Sequence, residues 1–185
     1  MQRLFFALAV AAVVSASAFG QGTILFNNRV IGQVDAPISI GDGTGPGAGW
    51  NAQLLLQTGS GASTTYIPLN PATTFRTTSA AAAHYVVQPT GPVIVPGIEA
   101  GQQATIVMRA WPGAVGSSYD TAICKGQSNP FTITLGGVPA VGAPIPDAVL
   151  VGMLPFVIAA VCVPEPSTIS LGLLGVAALL YRHRK

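Results

Sequence analysis

The distribution of glycine and proline constrains this chain more than any other feature. The 185 residues include 22 glycines and 15 prolines, and between Gln21 and Val163 the longest stretch free of both runs from Ala72 to Gln88. Each interior glycine costs a helix about 1 kcal/mol and each proline about 3 kcal/mol, so few helices fit the middle of the chain. What remains between these breaks is short runs of Thr, Val, Ile and Ala, residues that pack well on a pleated surface. An all-β fold follows, and the length allows one ordinary domain plus terminal appendages.

Period-two alternation locates the strands. Gly22 to Val30 reads as a first strand, followed by a turn-rich stretch in which Gly41 to Gly49, GDGTGPGAG, is too glycine-rich to pack. Trp50 to Leu56 resumes as a strand with Ala52, Leu54 and Leu56 on one face. From Thr58 to Ser79 serine and threonine dominate, which predicts a polar hairpin or meander carrying hydroxyls open to O-linked sugars. Further strands are expected at His84 to Gln88, Thr105 to Trp111, Phe131 to Leu135 and Leu150 to Ala159. Seven to nine strands at intervals of about ten residues predict a single β-sandwich, Ig-like or jelly-roll-like, with the strand order open.

Charge separates the middle from the ends. Arg3, Arg182, Arg184 and Lys185 belong to the terminal segments, which leaves Arg29, Arg76, Arg109 and Lys125 against Asp35, Asp42, Glu99, Asp120 and Asp147. Four scattered cations in a slightly acidic domain cannot neutralise a phosphate backbone, so nucleic acid is not an expected partner.

Both ends read as addresses. Arg3, an apolar run from Leu4 to Val14, and the small residues Ser15, Ala16, Ser17 and Ala18 form a secretory signal peptide, 1–20, with cleavage after Ala18 or Gly20 and delivery to the Sec machinery. At the other end Pro164, Glu165 and Pro166 precede an apolar stretch, 168–181, that closes on Arg182, His183, Arg184 and Lys185. Fourteen residues rise about 21 Å as a helix against a hydrocarbon core of about 30 Å, so this short transmembrane helix spans only with bilayer thinning or snorkelling. The basic cluster acts as a membrane stop and favours the cytoplasmic side, which puts the preceding domain, 21–162, outside. Pro164 and Pro166 lack N–H groups and hold Glu165 in extended chain, the form proteases read.

This order of Pro-Glu-Pro, apolar helix and basic terminus over 163–185 resembles the PEP-CTERM sorting signal. The resemblance implies a substrate of an exosortase, a membrane-embedded cysteine protease-transpeptidase. The chain would then be membrane-anchored only transiently, then cut near the motif and left at the cell surface or released. The segments GTILFNNRV, AGWNAQLLL, ATIVMRAW and GQSNPFTIT also resemble exported β domains that precede this tail in verrucomicrobial-type sequences, without adding a catalytic motif.

Catalysis is not expected from what remains. Asp35 and Asp42 are the only sequence-local carboxylate pair and read as turn residues, with a calcium site as the alternative. His84 has no Gly-x-Ser-x-Gly elbow to serve, and the GDGTGPGAG loop lacks the Gly-Lys-Ser/Thr of a phosphate cradle. No cofactor or metal is expected. Cys124 and Cys162 are the only cysteines, and export invites a disulfide between them. Trp50 and Trp111, with Tyr66, Tyr85 and Tyr119, are candidates for a sugar-stacking platform, the alternative being core packing. The functional expectation is therefore a non-enzymatic surface or extracellular-matrix protein, with exopolysaccharide as a candidate partner. The alternatives are a carbohydrate-binding or adhesive module and a secreted hydrolase.

Overall fold

The computed structural model describes residues 20–113 and 118–158. Within them the chain is mostly β: β1 (Gln21–Ile24), β2 (Arg29–Val30), β3 (Val34–Asp35), β4 (Ile38–Ile40), β5 (Trp50–Thr58), β6 (Thr65–Pro68), β7 (Thr73–Thr74), β8 (Val93–Glu99), β9 (Gln103–Pro112), β10 (Gly126–Gln127), β11 (Phe131–Thr134) and β12 (Phe156–Ile158). No helix among these residues is long and apolar enough to cross a membrane. The expected signal peptide and C-terminal helix lie outside the described residues.

The long antiparallel pair β5–β9 is the spine, in register from Trp50↔Pro112 to Gln57↔Thr105. Each outer edge of this pair is covered by two short strands. β6 and β7 line β5, while β11 and β10 line successive halves of β9. Three two-stranded sheets complete the fold: antiparallel β1–β8, antiparallel β2–β3 and parallel β4–β12.

One apolar cluster joins these pieces. The inner face of the large sheet supplies Ala52, Leu54, Leu56, Ala104, Ile106, Met108, Ala110, Phe131 and Ile133, against Ile24, Ile38, Val93, Val95 and Ile158 from the smaller sheets. Each large aliphatic side chain buried this way contributes roughly 1.5–3 kcal/mol. The expected Ala52, Leu54 and Leu56 face is the buried one, and the Phe131–Thr134 alternation gives a buried, exposed, buried, exposed pattern.

Four readings are corrected. The expected strand Gly22–Val30 stops at Ile24 and restarts at Arg29. Asn27 N–H donates to Leu25 O at 2.8 Å and the Asn28 side chain takes over backbone partners, so local side-chain bonding competes with the ladder. His84–Gln88 is no strand: Ala82–His84 is a 3-10 turn, started by the Ser79 hydroxyl accepting from Ala82 N–H at 3.1 Å, and only Val86 forms a bridge, to Phe75. Leu150–Ala159 is broken by a turn at Gly152, φ 91°, leaving β12 as the described strand there, with Ala159 outside the described residues. The glycine-rich loop does pack, because a Cβ on Gly45 would lie 2.5 Å from Ala83 C.

The longest strand that sequence periodicity missed is β8, Val93–Glu99. Pro96 and Gly97, φ 75°, sit inside it, and the β1–β8 register shifts there, with Gly22 opposite Val95 and Gln21 opposite Glu99. Proline inside a run argues against a strand unless a bulge accommodates it, which this one does. The other edge of β1 is covered by loop backbone, where Thr23 O accepts from both Gly136 N–H and Ala148 N–H at 3.1 Å. Gly136 permits that approach, since a Cβ there would lie 2.0 Å from Pro146 O.

Candidate functional site

The outer face of the large sheet carries the densest group of chemically distinctive side chains. Strand alternation puts Asn51, Gln53, Leu55 and Gln57 of β5 on this face, opposite Trp111, Arg109, Val107 and Thr105 of β9 respectively. Tyr66 of β6 pairs with Gln57, Gln127 of β10 with Arg109, and Thr132 of β11 with Thr105. Leu55 and Val107 are buried outside the main core cluster, so this face has its own small apolar centre.

Arg109 organises the group. Its guanidinium carbon lies 4.7 Å from the Tyr66 ring centroid and 4.4 Å from that of Tyr119, while Nε donates to Gln127 Oε1 at 2.9 Å. Two ring contacts and one hydrogen bond fix the fork in place. Lys125 Nζ is 5.2 Å from the Tyr119 centroid and donates to Asp120 O at 3.0 Å. Trp111 meets Tyr119 edge to face at 6.1 Å. Burial raises the Tyr119 pKa; Arg109 opposes that rise, and the Asp120 charge adds to it.

Among the described residues, two polar atoms of this face are buried without a partner, Gln57 Oε1 and Trp111 Nε1. Native interiors leave few such groups, because each orphan costs about 1–3 kcal/mol.

A second polar group lies near β2–β3 and is structural. Asn28 is fully buried; its amide donates to Ala36 O at 2.9 Å and His84 O at 3.2 Å, and its Oδ1 accepts from Val86 N–H at 2.9 Å. Asn27 Oδ1 accepts from Arg76 Nη2 at 3.1 Å, and Arg76 Nε donates to Val86 O at 2.9 Å. Tyr85 donates to Asp35 Oδ1 at 2.8 Å and lies under Arg29 at 4.8 Å. Desolvation, then the bond and charge of Asp35, raise the Tyr85 pKa. These contacts tie the break after β1 to the segment before β8.

The residues weighed for catalysis are engaged separately. Asp42 accepts from Thr44 N–H at 2.9 Å and from the Thr44 hydroxyl at 2.6 Å, which lowers its pKa, as expected of a turn cap. His84 Nδ1 lies 2.9 Å from Ile38 O, and Asp35 is held by Tyr85. Among the described residues no three His, Cys, Asp or Glu side chains group as a metal site. Two shallow hollows, one of about 390 Å³ bounded by Arg29–Asp35 and one of about 360 Å³ between Gly43–Gly45 and Ala80–His84, bring no acid, base and nucleophile together.

Comparison with known families decides what the far end is. Residues 163–185 match the PEP-CTERM protein-sorting motif. The PEP-CTERM match spans the same residues as the resemblance read from sequence, and the motif points to an exported protein sorted to the cell surface by an exosortase. No curated protein and no solved structure matches the chain.

Pro164, Glu165 and Pro166, the basic cluster Arg182, His183, Arg184 and Lys185, and Cys162 all lie outside the described residues. Cys124 is buried and disulfide-bonded. The structure does not bring Trp50 and Trp111 together: Trp50 shares the inner face and packs against the core, whereas Trp111 belongs to the outer face and is 7% exposed. Their parity in paired strands decides this, because Trp50 stands opposite Pro112 and Trp111 opposite Asn51. Sequence reasoning missed Arg109, Lys125, Gln57 and Gln127. The outward parity of Arg109 was readable in ATIVMRAW, but its neighbours come from three other strands and a loop.

Proposed function

We propose that this chain is an exported, non-catalytic surface or matrix component, delivered through the Sec machinery by the segment 1–20, cut by an exosortase near Pro164-Glu165-Pro166, and then attached at the cell exterior or released. The tail serves as a transient membrane anchor until that cut. The matched sorting motif at 163–185 carries the reading. The separate structural engagement of Asp35, Asp42 and His84 supports the absence of catalysis over a secreted hydrolase. The domain 21–162 is a single β-sandwich on this reading, supported by an apolar cluster that has the large sheet on one side and β1, β4, β8 and β12 on the other.

The test is the intact mass of the protein recovered from the exterior of its host, beside a variant carrying Pro164→Ala and Pro166→Ala. Loss of both end segments from the unaltered protein, with the variant retained at full tail length in the membrane, is the expected result. An intact C-terminus in both would make the tail a plain anchor and overturn the processing step.

A further inference from the structure

We infer that the export segment is cut between Ala18 and Phe19, so that Gly20 stays in the secreted protein as a working residue of the fold. This rests on the reading of the first residues as a signal peptide, and it decides between the two cuts that the sequence leaves open, after Ala18 and after Gly20.

The first argument is what Gly20 does. It is buried, and its carbonyl accepts from Ala100 N–H at 2.7 Å. The β1–β8 register shifts between Gln21 and Gly22, so beyond the bulge the end of this ladder consists of the Gln21↔Glu99 pair and the bond from Ala100 to Gly20. Ala100 is buried, and a cut after Gly20 would take the acceptor away from its N–H. Gly20 also has φ 109°, a conformation that glycine adopts without the Cβ clash other residues meet. The fold therefore accounts for glycine at this position, with no need for it to be the small residue before a scissile bond.

The second argument is independent of the fold. A signal peptidase reads small side chains at the first and third positions before the cut. Ala16-Ser17-Ala18 supplies that pattern as A-x-A, whereas the later cut would rely on Ala18-Phe19-Gly20. Hydrolysis adds one water across the Ala18–Phe19 peptide bond, leaving a carboxylate on Ala18 and an α-ammonium on Phe19. A Cβ on Gly20 would lie 3.8 Å from Glu99 Cγ and 4.0 Å from Glu99 Cδ. The new positive charge thus forms one residue away from an exposed carboxylate that has no partner among the described residues.

The experiment is intact mass and N-terminal sequencing of the protein recovered from the exterior of its host, for the parent and for Gly20→Val. A parent chain that starts at Phe19 is expected. A start at Gln21, free or cyclised with loss of ammonia, would overturn the inference while leaving export intact. A chain that still starts at Met1 would overturn it together with the signal-peptide reading. Gly20→Val should be cut at the same bond and melt roughly 3–7 °C lower than the parent, because a β-branched residue is strained at a positive φ. An equal melting temperature in a variant that retains position 20 would refute the role given to Gly20, and the first residue of the parent decides the cut even where the variant does not fold.

Discussion

Replacing Asn28 by alanine tests whether one buried amide holds the break after β1 to the rest of the fold. The side chain is 0% exposed and makes three hydrogen bonds, to Ala36 O, His84 O and Val86 N–H. Alanine leaves Val86 N–H and Ala36 O, both on buried residues, without those partners. At about 1–3 kcal/mol for each orphan, a loss of roughly 3 kcal/mol is expected, a large part of the 5–15 kcal/mol typical of a domain. With an unfolding entropy of about 2.1 cal/mol/K per residue, a domain of about 140 residues should melt roughly 10 °C lower. Urea denaturation followed by circular dichroism gives the free energy, and a thermal scan gives the shift. Asn27→Ala is the control: Asn27 is half-buried, its bonds to Arg76 and Gln88 can be replaced by water, and a loss under about 1 kcal/mol is expected. If Asn28→Ala lost no more than Asn27→Ala, the buried bonds would not be what fixes this corner.

Two further outcomes are expected. A disulfide joining Cys124 to Cys162 would close a loop of about 39 residues, worth roughly 4 kcal/mol in the chain-entropy model, so reduction should lower the melting temperature; an unchanged value would refute the pairing. Stability should also fall as pH rises above about 10, because Tyr85 and Tyr119 have raised pKa values in the fold and the unfolded chain gives up these protons first. The contribution is fully present below the unfolded value and disappears through the folded one. A titration of the melting temperature, compared with Tyr85→Phe, checks this, and an alkaline limb of the same slope in both proteins would count against it.

The β class, the inward face of β5, the alternation of β11 and the sorting tail were legible in the amino-acid sequence alone. These depend on local quantities: the helix cost of glycine and proline, a period of two, and a motif whose parts are adjacent in the chain. The tertiary structure decided what depends on partners far away. It broke the first strand, because Asn28 found Ala36, His84 and Val86; it kept β8 despite Pro96, because a bulge opposite β1 absorbed the proline. It also put Trp50 and Trp111 on opposite faces and surrounded Arg109 with Tyr66, Tyr119 and Gln127, residues 43 positions before it and 10 and 18 after it. Residues so far apart meet only through strand pairing, and the register of those pairs is set by which face the whole core requires to be buried.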